Sequence, residues 1–145
     1  MNVDELRRLD AGPMEDERSE VGWQTLRLAT DGEPPAVLEK CREVLRAALK
    51  VADETPGPSD AQWAAILPAW FMATFEGDQS RWNSWEWAGW VQWLSPDMRE
   101  WRWWDAYVTG DRTADVLIET PGWPSPLGAV ENLLLRCGAT SVKEL

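Results

Sequence analysis

The chain has 145 residues, a length that fits one domain, and its 14 Lys and Arg face 25 Asp and Glu for a net charge of −11 and a pI near 4.4. So acidic a surface repels a phosphate backbone, because nucleic-acid binding draws on clustered Lys and Arg. Histidine is absent, which removes Ser-His-Asp and Cys-His machinery and any His-ligated zinc site.

A domain of this size buries roughly 68–70% of its unfolded surface and needs neither a disulfide nor a metal to fold. No cofactor motif is present: there is no P-loop, no GxGxxG, no CxxC and no EF-hand loop. Cys41 and Cys137 each fall on an apolar helical face and read as buried free thiols. The opening MNVDELRRLD is charged and unlike a secretory signal, and no window approaches the ~18 consecutive apolar residues of a membrane span. These features predict a cytoplasmic protein.

Residues 1–20 carry seven acids and three arginines around Gly12-Pro13. Val3, Leu6 and Leu9 can line a short helix, and the segment as a whole is expected to be acidic and mobile, ahead of a single domain over 21–145. The apolar residues of VGWQTLRLAT (21–30) fit neither period well, and the segment reads as a short helix or a strand. Pro35 to Ala52 is the clearest helix, with Val37, Leu38, Cys41, Val44, Leu45, Ala48 and Leu49 at three- and four-residue steps and prolines at its start. Lys40, Arg42, Arg46 and Lys50 on it alternate with Glu39 and Glu43 and read as a solvated face.

A second helix opens at Ser59, which with Gln62 has capping-box spacing; Pro68 predicts a kink or a split, and Gly77 a stop. Eight of the twelve tryptophans then fall between Trp82 and Trp104. Residues 80–94 favour a helix over a strand, stopped by Ser95-Pro96-Asp97. Residues 100–120 read as a β-hairpin. A three-residue loop, Gly110-Asp111-Arg112, sets Trp104, Ala106 and Val108 against Ala114, Val116 and Ile118 on the buried face. The tail is a turn and a helix, with Ser125 as cap, Pro126 at its first position and Gly138 at its end, and then a short terminal strand in ATSVKEL. The order predicts an α+β fold: several helices packed on one face of a small antiparallel sheet that contains a C-terminal hairpin followed by a helix.

In that register the opposite hairpin face carries Trp101, Trp103 and Tyr107 beside Asp105, Asp115 and Glu119. Tryptophan is enriched at the centres of protein interfaces, and exposed aromatic patches on soluble proteins tend to be functional. The expectation is a small acidic non-enzymatic protein-binding or regulatory module, an immunity- or antitoxin-like inhibitor being one form. Its partner is a basic protein, not nucleic acid or membrane, with negative charge steering the encounter. Self-association into a homodimer through the tryptophan surface is compatible with this. The alternative is a carbohydrate-binding protein or a small carboxylate-dependent glycosidase, since glycoside hydrolysis needs only two suitably spaced acids.

Overall fold

The computed structural model describes residues 3–51, 54, 56–82, 85–95, 99–121 and 127–145. The elements run α1 (Val3–Ala11), β1 (Trp23–Ala29), α2 (Pro34–Leu49), α3 (Asp60–Ile66), α4 (Ala69–Ala73), α5 (Trp87–Val91), β2 (Arg102–Gly110), β3 (Thr113–Glu119), α6 (Gly128–Arg136) and β4 (Ser141–Glu144). Among the described residues the strands form one antiparallel sheet in the order β2-β3-β1-β4. The fold is thus the expected α+β type, and β4 closes it without a further helix. No helix among the described residues is long and apolar enough to cross a membrane.

Residues 21–30 resolve to a strand because Leu26 and Leu28 are both fully buried at a two-residue step, which turns Trp23, Thr25 and Arg27 to the other face. The core joins Leu26, Leu28, Ala114, Val116 and Ile118 of the sheet to Leu38, Cys41, Val44 and Leu45 of α2 and Val130, Leu133 and Leu134 of α6. Cys41 and Cys137 are both buried as free thiols.

Local signals hold where they are strong. Ser59 and Gln62 form the capping box, and Pro68 separates α3 from α4 as its ring demands. Gly138 ends the α6 segment at φ +121°, a conformation that favours glycine. The expected stop at Pro96-Asp97 and the Ser125-Pro126 cap lie outside the described residues.

Residues 80–94 are not one helix. They hold a 3₁₀ turn at Ser80–Trp82, the short α5, and a second 3₁₀ turn at Gln92–Leu94. The reason lies in α6. Asn132 donates to the Trp82 carbonyl, and Arg136 donates at 3.0 Å to that of Trp85, so these oxygens serve tertiary bonds. Arg136 also bonds the Thr74 carbonyl at 2.8 Å and lies 3.6 Å from the Phe75 ring centroid. Burial lowers its pKa to about 10.

The first twenty residues, expected to be a mobile segment, make specific contacts. α1 docks along β2, with Glu5 and Leu9 buried, and Glu17 is bonded by Arg7 and Arg8 at 2.8 Å each. Partial desolvation pushes the Glu17 carboxyl up. The Met14 N–H and the two guanidiniums outweigh it and hold the group at about 2, against an ordinary 4.5.

Candidate protein-binding face

The hairpin decides which aromatics meet water. Its centre has the expected register: Val108 faces Ala114, Tyr107 faces Asp115, Ala106 faces Val116 and Asp105 faces Leu117. Both ends slip by one residue. At the tip Gly110 pairs with Thr113, which leaves a two-residue turn, Asp111-Arg112, in place of the expected three, and makes Thr109 the extra residue. At the other end Trp103 faces Ile118 where Glu119 was expected, and Trp104 is the extra residue. A bulge of this kind reverses which face the preceding side chains occupy.

The consequence is a correction. Trp101 and Trp103 belong to the core, each 1% exposed, and neither can anchor a partner. Trp104 turns to the other face, where its ring stacks on Trp23 with centroids 5.7 Å apart and planes at 24°. Arg8 lies 4.5 Å from the Trp104 centroid, so Trp104 is itself covered.

The sheet face away from the core is laid out by register. One cross-strand row runs Lys143, Arg27, Asp115, Tyr107; the next runs Leu145, Thr25, Leu117, Asp105. Trp23 and Glu119 follow as direct partners. Tyr107 and Trp23 are 47% and 48% exposed, the two open aromatic side chains of this face among the described residues, with Leu117 half-buried between their rows. The sequence-predicted set therefore keeps Tyr107, Asp105 and Glu119 on this face, buries Asp115 (5% exposed) in its pair with Arg27, and loses Trp101 and Trp103. Trp23, Arg27 and Leu117 were missed. The two-residue step of Leu26 and Leu28 was the signal that could have placed Trp23 and Arg27 here.

The carboxylates differ in their freedom. Asp115 is held by both oxygens on Arg27, at 2.7 and 2.9 Å, and these hydrogen bonds, with the carboxylate's charge behind them, raise the Arg27 pKa. Asp105 accepts the Ala106 N–H at 2.8 Å. Glu119 Oε2 accepts the Ser19 hydroxyl at 2.7 Å. Below Glu119 the face opens into a cleft of about 450 Å³ whose wall includes Trp104, Val21, Glu20, Glu100 and Arg102. Among the described residues no group of three or more Cys, Asp or Glu is arranged to hold a metal ion.

The chain matches no protein-family model, no curated protein and no solved structure.

Proposed function

We propose that this protein is a small acidic binding module whose open sheet face docks on a basic protein. One observation supports the reading above others. Helices α2 and α6 pack on one side of the sheet, and the other side, covered by Arg8 at Trp104, presents Tyr107 and Trp23 at about half exposure around Leu117, with Asp105 and Glu119 beside them. Buried aromatics at an interface centre supply most of the holding energy. A net charge of −11 speeds encounter with a basic surface and discourages nucleic acid. An immunity- or antitoxin-like inhibitor has this physics. Two buried free thiols suit a reducing, cytoplasmic setting.

The carbohydrate reading draws less support, because Arg27 holds both oxygens of Asp115 and Ser19 holds Glu119. The experiment is affinity capture from the native host with wild type and Tyr107→Ala. The proposal requires a basic protein recovered by wild type, lost at high salt and depleted with Tyr107→Ala. Capture indifferent to Tyr107, a second copy of this chain as sole partner, or tryptophan fluorescence that shifts on titration with oligosaccharides would overturn it.

A further inference from the structure

The corner of the open face at Trp23 repeats an arrangement that already holds a cation. In the pile Arg8, Trp104, Trp23, a guanidinium lies 4.5 Å from one ring, and the next ring follows at 5.7 Å. The pile ends in water: Trp23 meets Trp104 and leaves 48% of its surface exposed. Its direct cross-strand partner is Glu119, whose Oε1 takes no hydrogen bond from the described residues.

The adjoining cleft carries surplus negative charge. Asp4, Glu17, Glu20, Glu100 and Glu119 line it with four guanidiniums, of which Arg8 is bonded to Glu17 and Arg99 to Glu5. Asp4 lies 3.8 Å from Arg7, which leaves Glu20, Glu100 and Glu119 against Arg18 and Arg102, an excess of one carboxylate. Arg102 faces Glu119 across β2 and β3 without closing to ion-pair distance among the described residues.

We infer that Trp23 and Glu119 form a clamp for an arginine side chain of the basic partner, its guanidinium flat on the open face of the Trp23 indole and its N–H groups on Glu119 Oε1. Arginine suits the site better than lysine. Its planar cation stacks on an indole while its fork engages a carboxylate, whereas an ammonium is a compact and strongly hydrated charge. The clamp rests on the open face being the docking surface and names the partner group that meets one end of it.

The test uses an acetylated, amidated hexa-arginine peptide, with hexa-lysine and hexa-citrulline beside it, titrated calorimetrically into the full chain. Hexa-arginine should bind more tightly than hexa-lysine, and hexa-citrulline should not bind. Trp23→Ala and Glu119→Gln should each weaken hexa-arginine binding by about threefold or more, the scale of an exposed cation–π contact. Trp23→Phe should retain most of the binding, and Glu76→Gln, an equal loss of charge at an exposed position elsewhere, should leave it unchanged. Binding weakened equally by Glu119→Gln and Glu76→Gln, indifferent to Trp23→Ala, or absent in wild type overturns the clamp. If Tyr107-dependent capture persists beside such a result, the docking face stands and the clamp alone fails; loss of Tyr107 dependence removes the face itself.

Discussion

Glu5 on α1 and Trp103 on β2 are joined at 2.7 Å, the backbone N–H of Trp103 donating to the buried Glu5 carboxylate. β2 is an edge strand, so the Trp103 N–H and C=O have no strand to pair with on that side. Arg8 of the same helix supplies the second half, donating to the Trp103 carbonyl at 3.3 Å. The helix thereby covers the edge at the bulge and does the work that a further strand would do. Arg99 completes the site, bonding both Glu5 oxygens at 2.7 and 2.9 Å with both side chains buried.

Removing one partner of a buried, hydrogen-bonded ion pair leaves an uncompensated charge and costs about 3–5 kcal/mol. Glu5→Ala should destabilise the chain by that amount in urea. The double change Glu5→Met with Arg99→Met should cost much less than the sum of the two single changes, because neither charge is then stranded. Simple additivity would contradict the buried-pair account.

Trp101 Nε1 is buried with no hydrogen-bond partner among the described residues, whereas Trp90, equally buried, donates its Nε1 to the Ala129 carbonyl at 3.1 Å. An unsatisfied buried donor costs about 1–3 kcal/mol. Phenylalanine removes a comparable part of each ring, so the cavity terms are similar and the hydrogen bond sets the difference. Trp101→Phe should therefore cost at least about 1 kcal/mol less than Trp90→Phe in chemical denaturation. The reverse order would place an acceptor on Trp101.

Glu17 carries a pH dependence of definite sign. Its folded-state pKa of about 2 lies below the ordinary 4.5, so the unfolded chain takes up the proton first as the solution is acidified. The stabilisation is complete above pH 4.5 and is lost as pH falls through about 2. Wild type should exceed Glu17→Gln in stability at pH 6, and the gap should narrow between pH 4.5 and 2. A gap that stays constant across that range, measured by urea melts, would show that Arg7 and Arg8 do not hold this carboxylate.

These long-range bonds also explain what the sequence made legible. The buried stripe of α2 and the Ser59–Gln62 box depend on neighbours three or four residues away, and both are readable from spacing. So is the middle of the hairpin, where alternation fixes Ala106 against Val116. The slip at Trp104 is not readable, because it occurs where Glu5 and Arg8, almost a hundred residues earlier, take the Trp103 N–H and C=O. The broken helix at 80–94 depends likewise on Asn132 and Arg136, some fifty residues later. Alternation alone therefore assigned Trp103 to water and Trp104 to the core, whereas the bulge buries Trp103 in the core and turns Trp104 to the other face beneath Arg8. The open face survived the slip because Tyr107, Asp105, Asp115 and Leu117 lie in the stretch where the register did not move.

The open face is tested most directly by placing a photo-cross-linking residue at Tyr107, and separately at Glu39 on the exposed side of α2, in the native host. Position 107 should give an adduct with a basic protein, weakened by Leu117→Arg, and position 39 should give none. Equal adducts from both positions, or none from position 107, would contradict docking by this face.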